Sequence, residues 1–147
     1  MRRLSQLLAM ALFACIAVVG TGAQSAQAAG CSGYLINRTV AKTSSGVTVG
    51  ELVVYYNSST GKNCARMNHL GPTYGVTDGT YVLLKRCANG TGPDVCWAED
   101  EKYSLGDYAY YAGPVEIYAP NNCVGAQGYV TYQGKYIWAY TPTKIGC

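Results

Sequence analysis

The chain has 147 residues, a formal net charge of +3 and only 13% charged side chains, against 14 tyrosines, 18 glycines and 7 cysteines. So small a basic excess, with no Lys/Arg block or stripe, argues against a dedicated nucleic-acid or anionic-membrane binder, because such proteins neutralise phosphates with clustered cations. The length gives room for one core and one domain.

At the N-terminus, Met1-Arg2-Arg3 is a positive patch, Leu7 to Gly20 is an apolar run, and Ala26-Gln27-Ala28 is a small-residue cleavage site of the A-x-A kind. Residues 1–28 therefore read as a secretory signal peptide. The apolar run is shorter than the roughly 20 residues of a spanning helix, and no basic stop-transfer cluster follows it. Arg2-Arg3 alone does not make a twin-arginine leader, and no lipobox leads into Cys31, so general secretion without a lipid anchor is expected. Cleavage after Ala28 leaves residues 29–147 as a single exported domain, nearly neutral once Arg2 and Arg3 are gone. Cys15 leaves with the leader. Cys31, Cys64, Cys87, Cys96, Cys123 and Cys147 remain, an even set that reads as three disulfides formed in an oxidising compartment.

Short β-rich runs then alternate with turns: Tyr34 to Ala41, Val47 to Tyr56, Cys64 to Met67, and Thr80 to Cys87. Nowhere in the exported part do apolar positions recur at three and four over a long window. The expectation is an all-β fold, a small disulfide-stapled sandwich or open barrel of about seven or eight strands. Its centre is the stretch Glu51 to Met67, in which Leu52-Val53-Val54-Tyr55-Tyr56 runs into a polar turn closed by Gly61 and anchored by Cys64. With a period of two, Leu52, Val54 and Tyr56 share one face and Val53 and Tyr55 the other, so both faces are covered at least in part.

Cys87 and Cys96 bracket Asn89-Gly90 and Gly92-Pro93-Asp94, strong turn chemistry that predicts a disulfide-closed hairpin tip. With that pair set aside, Cys31 is matched to Cys64 and Cys123 to Cys147, crossed pairings staying open. The carboxylates Glu99, Asp100 and Glu101 follow; they read as a solvated loop, since the spaced oxygen ligands and central glycine of a calcium loop are absent. Farther on, Tyr129 to Tyr132 and Tyr136 to Tyr140 flank Gln133-Gly134-Lys135, a second hairpin. Tyr136, Trp138 and Tyr140 share one of its faces. Packing of these rings into the core is the expectation, and stacking against a sugar ring is the alternative.

No cofactor or metal is implied, because no C-x-x-C pair occurs and His69 has no partner at ligand spacing. His69 is also the only imidazole, which leaves a serine or cysteine nucleophile without a base signature. Glu51, Glu99, Asp107 and Glu116 are loose candidates for an acid/base pair, but the sequence brings no two of them together.

Cys31-Ser32-Gly33-Tyr34, Leu52 to Asn57 with Gly61-Lys62-Asn63-Cys64, Gly106 to Val115, and Cys123-Val124 with the terminal Cys147 cover most of the exported part. In these stretches the chain resembles the spore-associated protein A family of small exported proteins from filamentous, spore-forming actinobacteria. Cys87 and Cys96 depart from the family's usual four cysteines. The resemblance implies export and association with the spore or aerial-cell surface, and it supplies no catalytic residue. The expected function is that of a secreted, non-enzymatic protein of the spore or cell surface, structural or surface-binding. Its partner would be the spore or cell wall, with no nucleic acid and no membrane. The alternatives are a glycan-binding module and a protease inhibitor acting through the Cys87–Cys96 loop.

Overall fold

The structure, a computed structural model, describes residues 30–147; the signal peptide expected at residues 1–28, with Cys15 in it, lies outside the described residues. Eight strands follow one another: β1 (Tyr34–Lys42), β2 (Thr48–Asn57), β3 (Lys62–His69), β4 (Asp78–Cys87), β5 (Ala98–Tyr108), β6 (Tyr111–Tyr118), β7 (Val124–Tyr132) and β8 (Lys135–Tyr140). They form two antiparallel four-stranded sheets, a first of order β1-β2-β3-β6 and a second of order β5-β4-β7-β8. No strand belongs to both, so the architecture is a sandwich rather than a closed barrel. The chain changes layer three times, between β3 and β4, between the edge strands β5 and β6 at Ala109-Tyr110, and between β6 and β7; at the opposite margin β1 lies against β8.

Turn chemistry explains the hairpins. Between β2 and β3 the Asn57 carbonyl accepts the Gly61 N–H at 2.8 Å, the Asn57 side chain accepts the Ser59 N–H at 3.0 Å, and Gly61 takes φ +65°. Between β7 and β8 the two-residue turn Gln133-Gly134 has φ 52° and 72°, the paired positive values that match the twist of the flanking strands. Lys135 already belongs to β8.

Leu52, Val54, Ala65, Met67 and Ile117 from the first sheet meet Val82, Leu84, Ala126, Val130 and Ala139 from the second. Met67 is interlocked with two glycines. A Cβ on Gly128 would lie 3.1 Å from Met67 Sδ and 2.7 Å from the Tyr81 carbonyl oxygen, and one on Gly50 would lie 2.9 Å from Met67 Cε. Val53 points to the outer face as alternation demands, yet it is only 1% exposed. It sits in register between Arg38 and Arg66, whose aliphatic stems flank it.

Disulfides join Cys31 to Cys64, Cys87 to Cys96 and Cys123 to Cys147, the pairs expected from spacing. The expected loop at Glu99-Asp100-Glu101 is instead the start of β5. There Asp100 pairs with Arg86 and Glu101 with Lys85, so cross-strand charge complementarity holds in a sheet a segment whose composition alone favours a loop.

Candidate functional site

The rings of Tyr136, Trp138 and Tyr140 do not enter the core; they stand on the outer face of the second sheet. In β8 the positions between them are Ile137 and Ala139, which pair with Val130 and Gly128 of β7 and fill the inner face. The inner layer there is made mostly of small and aliphatic side chains, with the phenol rings of Tyr108 and Tyr132 packed against it. Alternation in the sequence separates Ile137 and Ala139 from the three rings of β8, but it does not say which set faces inward.

Sequence reasoning missed the rest of the face. Register places Leu105, Tyr81, Tyr129 and Trp138 side by side across β5, β4, β7 and β8, with Tyr103, Leu83, Gln127 and Tyr140 in the neighbouring row. The aromatic rings touch in sequence. Tyr81 stacks on Tyr129 with centroids 5.6 Å apart, Tyr129 meets Trp138 edge-on at 4.9 Å and lies tilted against Tyr136 at 4.4 Å, and Trp138 stacks on Tyr140 at 5.6 Å with an interplanar angle of 11°. Tyr103 extends the array beyond Tyr81 at 6.3 Å. Six rings thus form one solvent-facing platform four strands wide; Trp138 is 37% exposed and Tyr103, Tyr136 and Tyr140 more so. Past Tyr140 the platform runs into a depression of about 190 Å³ bordered by Lys85, Gln127 and Thr141.

Burial within the array raises the Tyr81 hydroxyl above its usual value, with Gln127 pulling it back and Glu101 and its tyrosine neighbours adding to the rise. Tyr129 is raised for the same reason, helped by Tyr136. For an acid whose folded value is raised, the neutral form is favoured in the fold, so this contribution to stability is complete below the unfolded tyrosine value of about 10 and is lost as pH climbs through the folded one. The expected result of an alkaline absorbance titration is a late phenolate component that shrinks in the Tyr129→Phe variant and disappears when Tyr81→Phe is added to it. A single transition shared by all tyrosines contradicts it.

The other residues singled out from the sequence are dispersed. His69 is 1% exposed, with Nδ1 2.9 Å from the Thr73 carbonyl oxygen and Nε2 2.6 Å from Thr80 Oγ1, so both ring nitrogens are engaged within the fold. Glu51 pairs with Arg38, Glu99 with Arg86 and Glu116 with Lys62, three separate places, while Asp107 lies on β5 opposite Gly79. The Cys87–Cys96 loop forms the tip between β4 and β5. Lys144 Nζ ties it down by donating to the Thr91 carbonyl at 2.8 Å and to Thr91 Oγ1 at 2.7 Å. Among the described residues no three His, Cys, Asp or Glu side chains cluster as a metal site, and no helix is long and apolar enough to cross a membrane.

Comparison of the chain with protein-family models, with curated proteins and with solved structures gives no match.

Proposed function

We propose that this is a secreted, non-enzymatic protein that adheres to a polysaccharide of the spore or cell surface through the aromatic platform of its second sheet. The observation that carries the reading is the platform itself: Tyr103, Tyr81, Tyr129, Trp138, Tyr136 and Tyr140 in ring-to-ring contact on a solvent face. Pyranose rings offer flat C–H faces to such rings and hydroxyls to the phenols, to Gln127 and to Thr131 beside them. Charge is confined to the margin of the face, at Lys85, Glu101 and Asp107, which favours a neutral, hydroxyl-rich ligand over a polyanion.

Export is supported by the leader-like N-terminus and by three disulfides, which persist in oxidising compartments. The resemblance to the spore-associated protein A family points to the same surface. The non-enzymatic part of the reading draws on His69, whose ring nitrogens are taken up by Thr73 and Thr80, and on the separate ion pairs of Glu51, Glu99 and Glu116.

Pull-down on chitin, cellulose and peptidoglycan tests the proposal. The protein is expected to bind one of them saturably, and Trp138→Ala to weaken that binding about tenfold, roughly 1.4 kcal/mol, the loss of one stacking ring. Because Trp138 lies outside the core, the variant keeps its circular dichroism. Undiminished binding by Trp138→Ala, or no retention on any of the three polymers, overturns the platform reading.

A further inference from the structure

The opposite face of the sandwich carries a second, chemically different site. On the outer surface of the first sheet, Glu51 of β2, Arg66 and Asn68 of β3 and Tyr111 of β6 form the floor of a cleft of about 420 Å³, and Tyr74 and Tyr110 rise at its side. Register builds the floor: Glu51 is paired with Asn68, Asn68 with Tyr111, and Arg66 lies two positions along the same strand, so all four side chains point outward. The two wall rings meet edge-on with centroids 5.1 Å apart. They come from separate segments, Tyr74 following the 3-10 turn Gly71–Thr73 and Tyr110 from the crossover between the sheets. A cleft of this volume is within the range of small-ligand sites.

The charges in the cleft do not cancel. One Glu51 oxygen lies 3.4 Å from Arg38 Nε, and the other accepts the Asn68 amide at 3.1 Å, so this carboxylate is both neutralised and fixed. Arg66 has no such partner. Its guanidinium lies 4.9 Å from the centre of the Tyr111 ring, its Nε is shielded from solvent without a hydrogen bond, and among the described residues no carboxylate pairs with it. A partly buried donor left open is costly, and a guanidinium held over a ring is pre-organised for a planar anion. An anion bound there would have the tyrosine walls against its body and the Glu51–Asn68 pair within reach of its polar groups.

We propose that this cleft binds an acidic monosaccharide unit of the uronic-acid type, its carboxylate on Arg66, its C–H face on Tyr74 and Tyr110, and its hydroxyls toward Glu51 and Asn68. The site is on the other sheet from the aromatic platform and does not depend on it. Inorganic phosphate satisfies the charge of Arg66 but leaves the ring walls unused, and a neutral hexose does the reverse; neither matches the whole cleft.

Titration of the disulfide-intact protein, followed by ¹H–¹⁵N NMR, tests this with four probes: sodium glucuronate, glucose, sodium phosphate and N-acetyl-dialanine. Glucuronate is expected to shift the Asn68, Tyr74 and Tyr110 amides saturably, with glucose, phosphate and the peptide carboxylate each at least about tenfold weaker. Arg66→Gln is expected to abolish the glucuronate response. Tyr74 is 65% exposed, so Tyr74→Ala folds normally, and it is expected to weaken glucuronate several-fold. Trp138→Ala should leave the response unchanged, which separates this site from the platform. The proposal is overturned by the absence of a saturable glucuronate response, by an equal or stronger response to any of the other three probes, or by wild-type binding in Tyr74→Ala.

Discussion

Replacing Met67 by alanine is expected to destabilise the protein by about 2 to 5 kcal/mol, the range for a large-to-small change in a closed core. Met67 is fully buried and sits between the layers, paired in register with Leu52 on one side and Ala112 on the other. Its thioether reaches toward Gly128 of the facing sheet and its terminal methyl toward Gly50, positions where a Cβ would collide with it. Each glycine makes room for the methionine, and shortening the methionine leaves a void that neither backbone can fill. Total stability for a domain of this size is about 5 to 15 kcal/mol, so the loss is a large fraction of it. Urea denaturation provides the measurement; a change under about 1 kcal/mol would mean that the sheets close over the gap and that the interlock matters little.

Removing the Cys31–Cys64 bond by a double alanine substitution is expected to cost about 2 to 4 kcal/mol, and more than removing Cys87–Cys96. The first bond closes a separation of 33 residues and the second only 9, which in the chain-entropy account is a difference of about 1 kcal/mol. There is also a structural reason. Cys31 precedes the edge strand β1 and is tied to Cys64 on the outer face of β3, two strands inward, so the bond holds the start of the chain across the sheet. At the other end Cys123–Cys147 acts with the backbone bonds that Val124 and Ile145 exchange at 2.9 Å to keep the last residues from fraying. Guanidinium unfolding of the two double variants gives the order; equal or reversed losses would reject the loop-length argument.

How much of this was legible in advance follows from the range over which each interaction acts. Local chemistry was sufficient for the all-β class, for the hairpin centred on Asn57 to Gly61, for the Gln133-Gly134 reversal and for the disulfide-closed tip between Cys87 and Cys96. Alternation of side chains, β-branched runs and turn residues act within a few positions of one another, so a linear sequence records them. Glu99-Asp100-Glu101 misled for the converse reason: three adjacent carboxylates disfavour a strand locally, and only the partners Lys85 and Arg86 on β4, more than a dozen residues earlier, make one stable.

Which face of a strand is the inner one is not a local property. In β8 both Tyr136-Trp138-Tyr140 and the intervening Ile137-Ala139 were eligible for the core, and the choice was made by what the first sheet presents across the gap. Met67 and its neighbours leave space for alanine and glycine there, so the large rings went outward and joined Tyr81, Tyr103 and Tyr129. Those residues are spread along the chain from Tyr81 to Tyr140, and strand order alone made them neighbours. The cleft around Arg66 was hidden in the same way, its four floor residues coming from three strands and its walls from two connections. The sequence by itself determined the all-β class, the hairpin turns and the disulfide-closed tip between Cys87 and Cys96. Tertiary structure decided which aromatic rings face solvent and which charges go unpaired, because both depend on the register and order of strands that are distant along the chain.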